Sequence, residues 1–584
     1  MSRNRIRGSR LAILLAILTL VASACVADDP AETATEAETE TEATAADETA
    51  AEDSGQAEGE SDDGTMADGD GTVEVLRLAG GDFGYPSPFA WVRGPGLIQA
   101  GYIFDTLLWQ DATGGFIPWL ATEWSASEDG TEWTFTLHPD ATWHDGEPVT
   151  ADDVVFTYEY LTQGAGAGQA GFAAGGLRQV ASVTANGDQE VTFTLNAPSA
   201  AFEEDVAASV LIIPEHVWSE IDDPAERRGP EATMGSGPYL LESADPANGS
   251  YLYTANEEYH LGAPMVKRLE FVPVNDELLA IQTGEVVAAE IGLEQPIPEE
   301  QMATFDEAEN IGRIESPGDW NLALHINLDS GFPYDEVDFR RALAYTVDRA
   351  DLVDRILFGR GVPASVGGLA PTHPFAAPGL PAYEQDLDMA NELLDGIGLV
   401  DADGDGVRDL PDGSPFAPQL KASQRFSADT PQLIREYLLE VGIDAEVVIL
   451  DRASADEAGV QGDYTLQLHG YGGIAGDADT LRQRFSDQEN STSFNKAWGY
   501  SNADFDALAD QQLATLDRGA RVDLVVQMQE ILAEDLPVIP IYVPDRILFY
   551  DDTVFSNWYY TPGCSPCRGS RNKHMYVTGH QEGF

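Results

Sequence analysis

A chain of 584 residues is too long for one hydrophobic core and calls for roughly three or four structural units. Apolar residues make up 43%, as in an ordinary folded protein, but 101 acidic against 31 basic residues leave a formal charge of -70. Such a charge excludes nucleic acid and anionic lipid surfaces as partners, because both would repel it, and reads as a strongly solvated surface suited to a salty medium.

Arg3, Arg5, Arg7 and Arg10 precede an apolar run over residues 11–21, too short to span a bilayer, and Ala22-Ser23-Ala24 lead into Cys25. A charged segment, a short apolar segment and small residues before a cysteine have the form of a bacterial lipoprotein signal. The expectation is that Cys25 carries lipid and begins the mature chain, placing the protein in the cell envelope, outside the cytoplasm and anchored to the membrane. Ala22 stands where leucine is usual, so plain cleavage at the A-x-A site is the alternative. Residues 26–72 hold 17 acids and no Lys or Arg among Ala, Thr, Gly and Ser. Such a segment buries too little apolar surface to offset its ordering entropy, so it is expected to be a disordered tether.

Residues 73–78 alternate as a strand that ends at Gly80-Gly81-Asp82-Phe83-Gly84, and residues 97–109 are expected to be helical. Within residues 120–161, Asp129-Gly130 makes a turn and residues 133–137 alternate large apolar with small polar side chains, a strand buried on one face. His144-Asp145-Gly146-Glu147-Pro148 then turns into Thr150, with Asp153 three residues on, a capping box before an apolar helical stripe of Val154, Val155, Tyr158 and Leu161. Strand and helix alternate through the rest: a strand over 322–328, a helix over 339–357, a helix from Asp429 stopped by Gly442, a strand over 445–450, a helix over 522–536 and a strand over 537–543. Asp401, Asp403, Asp405, Asp409 and Asp412 fall at positions 1, 3, 5, 9 and 12 of a loop with Gly406 at position 6, the spacing of a calcium loop. Asp412 replaces the usual glutamate and Pro411, Gly413 and Pro415 forbid a following helix. A structural calcium ion is therefore set against a plain acidic turn, and no other cofactor is expected.

Besides Cys25 the cysteines are Cys564 and Cys567, a C-x-x-C. In an exported chain the simplest reading is a disulfide. A redox dithiol should open a helix, whereas Pro562, Gly563, Pro566 and Gly569 describe a loop; a zinc site has only His574 nearby as a further ligand. No G-x-S-x-G, H-E-x-x-H or P-loop occurs, so no enzyme is expected.

Taken together, the tryptophan, D-G turn, aromatic strand, W-H-D-G-x-P turn and T-A-x-D-V helix start within residues 120–161 resemble the signature of the family 5 extracellular solute-binding proteins, the peptide and nickel class serving ABC importers. Met234-Gly235-Ser236-Gly237-Pro238-Tyr239, the run 256–287, and Arg340-Arg341-Ala342-Leu343 with Asp348-Arg349 are similar to further elements of that family; these arginines are expected to be solvated or salt-bridged. The resemblance implies an α/β, periplasmic-binding-protein type II fold of two lobes with an extra inserted subdomain. It places lobe 1 at 73–109, 235–317 and 536–584, the inserted subdomain at 110–234, and lobe 2 at 318–535. It implies a monomeric substrate-binding component that captures a peptide or similar solute and delivers it to ABC permease subunits. Readings of other kinds are an oligosaccharide or chelate binder, a sensing receptor and a secreted hydrolase. In peptide-binding members a G-W-x-A-D run pairs with the peptide's α-ammonium. Here Tyr471 takes the tryptophan's place, Ile474 or a neighbour the first aspartate's, and Asp477 and Asp479 the later acidic positions. Asp82 and Phe83 are expected across the cleft, with Trp320, Trp498 and Tyr500 as stacking surfaces.

Overall fold

The computed structural model describes residues 71–167, 174–291, 297–486, 496–561 and 572–578. Cys25, residues 26–70 of the expected tether and the Cys564/Cys567 pair lie outside them. In the strand Glu132–Leu137, Trp133, Phe135 and Leu137 are buried, as the alternation requires. It lies in a four-stranded antiparallel sheet, in the order Ala121–Ala126, Glu132–Leu137, Glu190–Leu195, Val180–Ala185. The helix Ala151–Thr162 packs on this sheet, and its cap reaches beyond the helix: one Asp153 oxygen accepts the Thr150 N–H at 2.9 Å, the other the Glu215 N–H at 2.9 Å.

The turn at residues 144–148 and the run 234–239 are physically one unit. His144 donates through its N–H to the Gly235 carbonyl and through Nε2 to the Gly237 carbonyl, both at 2.9 Å. Gly237 in turn donates to the Ile103 carbonyl at 2.7 Å, so close that a Cβ there would sit 2.6 Å from the Ile103 and Tyr102 oxygens. This subdomain is inserted in a lobe with two further sheets. One runs Leu76–Gly80, Arg268–Pro273, Ser250–Ala255, Tyr239–Asp245; the other runs Ala288–Ile291, Arg546–Asp551, Ile311–Ser316. The helix Lys573–Thr578 closes the same lobe, with Met575 and Tyr576 in its core.

Lobe 2 is built on six strands in the order Gly361–Pro363, Val538–Pro544, Trp320–Ile326, Leu466–Gly472, Gln419–Ser423, Glu446–Leu450. One face packs Leu322, Leu324, Leu466 and Leu468 on helices that contribute Phe339, Leu343, Ile434 and Leu438. The expected lobe boundary after Asp535 is wrong: Val538–Pro544 is an interior strand of lobe 2, and the chain returns to lobe 1 only at Pro544-Asp545-Arg546. The outward crossing is Pro317-Gly318-Asp319, and the two run so close that a Cβ on Gly318 would lie 2.1 Å from the Pro544 oxygen. Arg546, with 4% of its side chain exposed, clamps them, donating to Asp319 at 2.7 Å and to Glu290 at 3.0 Å.

Two helix expectations and one about arginines need correction. The first helix is Arg93–Ile103; the backbone turns extended at Phe104, which sends Asp105 into the core, and Leu108–Gln110 is a strand. The stripe over 339–357 is two helices, Val337–Thr346 and Arg349–Ile356, divided where Asp348 accepts the Asp351 N–H at 2.9 Å and caps the second. Arg340 and Arg349 are buried rather than solvated: Arg340 binds the carbonyls of Asp535, Tyr334 and Asp335, and Arg349 those of Ala364, Ala382 and Tyr383. No helix among the described residues is long and apolar enough to cross a membrane.

Candidate functional site

The crossing segments fix which end of each sheet borders the crevice between the lobes. In lobe 2 that end carries Trp320, which begins its strand opposite Gly472, and the loop after Gln419–Ser423, whose strand runs parallel to Leu466–Gly472. Loops beyond the carboxyl ends of such strands are where α/β sheets place ligands. Three side chains form a largely buried ledge there, Trp320 8% and Phe426 6% exposed and Arg425 half-buried. The Trp320 and Phe426 rings lie 5.5 Å apart, and the Arg425 guanidinium lies 5.7 Å from the first centroid and 5.1 Å from the second. Trp320 can lie flat because position 470 is glycine, where a Cβ would come within 1.5 Å of the indole. On the opposite face of the same strands Tyr471 is 1% exposed, with Arg484 stacked 3.8 Å over its ring and donating to the Gly472 carbonyl at 3.0 Å. Burial pulls the Arg484 guanidinium down to about 10.

The acidic loop that follows is not open to a ligand. Asp477 is bound by Arg521, one contact being 2.8 Å. Asp479 is fully buried and accepts from Arg482 at 2.6 and 2.7 Å, from Gln512 at 2.7 Å and from Gln483 at 3.1 Å. The expected role of both in pairing with a peptide ammonium is therefore corrected: their charge is already met by lobe 2. Ile474, at the first aspartate position, is 1% exposed.

Trp498 and Tyr500 are displaced from the site altogether. The Trp498 indole donates to the Gly459 carbonyl at 2.8 Å, and its own carbonyl accepts the Leu328 N–H, beyond the opposite end of the Trp320–Ile326 strand. Tyr500 donates to Asp535 at 3.0 Å, near the start of the Val538–Pro544 strand, which pairs with His325 at that same far end. In lobe 1, Asp82 and Phe83 do follow the Leu76–Gly80 strand. Asp82 is exposed and accepts the Gly84 N–H at 3.2 Å; the Phe83 ring stacks on Tyr251 at 6.0 Å, and the Tyr251 hydroxyl donates to the Gly84 carbonyl at 3.0 Å. Sequence reasoning passed over Arg425, Phe426, Arg484 and Arg546. For the first two a signal existed, because they sit just past the carboxyl end of a strand.

A model of the family described as bacterial extracellular solute-binding proteins, family 5 Middle, matches residues 115–493. The chain belongs to that family. This family 5 protein is 26% identical, over 354 residues, to the nickel-binding periplasmic protein of Escherichia coli (strain K12), a match covering 59% of this chain and 65% of that one. It is 24% identical over 438 residues to the oligopeptide-binding protein AppA of Bacillus subtilis (strain 168), covering 73% and 78%. The solved structure of Bacillus subtilis AppA with a nonapeptide superposes with a TM-score of 0.71 at 21% identity, covering 85% of this chain and 97% of that one. The fold is thus the two-lobe α/β fold of periplasmic binding proteins.

Of the five aspartates in the calcium-like loop of this family 5 protein, only three come together. Asp401, Asp403 and Asp405 are exposed and place carboxylate oxygens within 4.8 Å of one another. Asp409 is buried and accepts the Ala402 N–H at 2.9 Å, while Asp412 accepts the Ser414 N–H at 3.0 Å and hydroxyl at 2.6 Å. The five-ligand expectation is corrected to a three-carboxylate cluster. The loop is pinned to the lobe by Arg408, which donates to the Val441 carbonyl at 2.6 Å and to Asp395 at 2.7 Å.

Proposed function

We propose that this protein is the substrate-binding component of an ABC importer: a monomer that traps a peptide or similar small solute between its lobes outside the membrane, performs no chemistry on it, and delivers it to the permease subunits. The observation that carries this reading is the pair of adjacent crossing segments clamped by Arg546. Two sheets between which the chain passes only there can close on a ligand by rotation about that line, so binding and a shape change that a permease can recognise are one event. The names of the relatives span nickel and oligopeptides. The neutralised state of Asp477 and Asp479 favours a second reading, an oligosaccharide or chelate ligand held on the Trp320–Arg425–Phe426 ledge. A thermal-shift screen of peptides, oligosaccharides and metal chelates decides between them. A true ligand at 100 times its Kd adds about 2.7 kcal/mol of stability; no shift with any class would remove the importer reading.

The same proposal fixes the protein to the membrane through lipid on Cys25, supported by the signal pattern and the acidic tether. A Cys25→Ala chain is then expected to leave the membrane fraction; its complete retention there would refute the anchor. For the loop at 401–405 the expected outcome is a rise in Tm on adding millimolar calcium, abolished by Asp401→Asn with Asp403→Asn and without effect on solute capture. Equal melting with calcium and with chelator would leave only an acidic turn.

A further inference from the structure

The inserted subdomain touches lobe 2 at a place away from the crossing segments. A turn of π-helix, Glu203–Ala207, presents Glu204 and Asp205 to the loop holding Asp477 and Asp479. The Asp477 N–H donates to Glu204 Oε1 at 3.0 Å and Gln483 Nε2 to Asp205 Oδ2 at 3.1 Å. Beside them the Ala200 N–H donates to the Leu513 carbonyl at 2.8 Å. Four carboxylates therefore meet across this contact, against two guanidinium groups. Both of these belong to lobe 2 and pair with its own acids, Arg521 with Asp477 and Arg482 with Asp479, while Arg521 also donates to the Ala200 carbonyl of the subdomain at 3.4 Å; Gln512 is bonded to Asp479 at 2.7 Å and to Arg521 at 2.9 Å.

No ion pair reaches Glu204 or Asp205 among the described residues. The other charged or titratable groups facing the cluster from lobe 2 are His373, donating to the Gly476 carbonyl at 2.7 Å, Arg518 near His373, and Asp510 near Arg482. On the subdomain side Glu203 is turned to the Trp124 indole at 2.6 Å, and the short helix Ala174–Leu177 packed against the turn has no titratable residue.

We propose that this contact is a proton-dependent latch: closing lobe 2 onto the inserted subdomain takes up a proton on the Glu204–Asp205 pair, so acidification favours the closed, solute-holding form. The inference rests on the hinged reading given above. Its physics follows from the arrangement. Burial, then the Asp477 charge, raises the Glu204 carboxyl from 4.5 to about 7, with the Asp477 N–H and Arg521 opposing. Burial, then Asp479, Asp477 and Glu204, push Asp205 well above its ordinary range. All the neighbouring charges except Glu204 itself come from lobe 2. When the lobes part, both acids regain water and release the proton. The closed form thus binds protons that the open form does not, and closure weakens as pH rises from the ordinary carboxylate range through about 7.

The test is single-molecule energy transfer on the full chain in detergent, with dyes at the exposed Gln189 and Glu440, read without solute from pH 5.5 to 8.5. We expect two distance populations whose closed-to-open ratio is on the order of tenfold higher at pH 6 than at pH 8. The ratio should be nearly flat in Glu204→Gln/Asp205→Asn, and each single variant should have a shallower slope if the pair fails to fold. Two populations with a pH-independent ratio overturn the latch alone. An undiminished slope in the variants overturns its assignment to these residues, and one fixed distance at every pH overturns both the latch and the hinge.

Discussion

Replacing Asp105 with alanine is expected to destabilise lobe 1 by about 3–5 kcal/mol, the range for removing one partner of a buried ion pair. Asp105 is wholly buried and its partner Lys573 is 1% exposed; they meet at 2.8 Å. The carboxylate also accepts from the Trp119 indole at 2.8 Å, the Tyr259 hydroxyl at 3.0 Å and the Ser236 hydroxyl at 3.1 Å. Alanine would leave an ammonium in the core with, among the described residues, only the Phe104 carbonyl at 3.0 Å and the faces of Trp109 and Trp119 at 4.7 and 5.3 Å to stabilise it. Burial by itself would raise the Asp105 carboxyl, but Lys573 and the ring of donors hold it below its ordinary range. Its stabilisation is therefore complete above the unfolded carboxylate value of about 4 and is lost as pH falls through the lower folded value. Urea unfolding at pH 7 and at pH 3 checks both parts: a large gap between wild type and Asp105→Ala at pH 7 that narrows at pH 3. A gap under 1 kcal/mol at pH 7 would refute the claim.

Asp479→Ala is expected to cost a similar amount, about 3–5 kcal/mol, in lobe 2. The substitution strips Arg482, whose side chain is 13% exposed, of its only described ion-pair partner and removes the acceptor of Gln512 and one of the two acceptors of Gln483. Thermal melts with and without a saturating solute separate this role from ligand recognition. The expected result is a lower Tm with the solute-induced increment preserved. A normal Tm with the increment lost would restore Asp479 to the binding site.

The elements that were legible in the sequence are those whose cause is local. The Trp133, Phe135, Leu137 alternation and the Thr150/Asp153 capping box are set within a few residues, so pattern and structure agree. The division of one apolar stripe into two helices at Asp348 was hidden because a cap in mid-stripe does not disturb the periodicity. The site was least legible. Whether Asp477 faces a ligand or an arginine depends on Arg521, 44 positions away, and whether Trp498 reaches the crevice depends on which end of its sheet it meets. Aromatic residues near a loop motif carry no mark of sheet end, and so two of the expected stacking residues proved to be packing elsewhere.

The Asp105–Lys573 pair also sets an order of events during synthesis. It joins residues 468 positions apart, and the Lys573–Thr578 helix supplies core residues to sheets that begin at Leu76. Lobe 2, in contrast, draws all six of its strands from one uninterrupted run between Trp320 and Pro544. As the chain emerges from a ribosome or a translocation pore, lobe 2 can assemble while the amino-terminal half still lacks its last core residues. The portion made first is thus the portion completed last, its core left open to chaperones or proteases until the Lys573–Thr578 helix arrives.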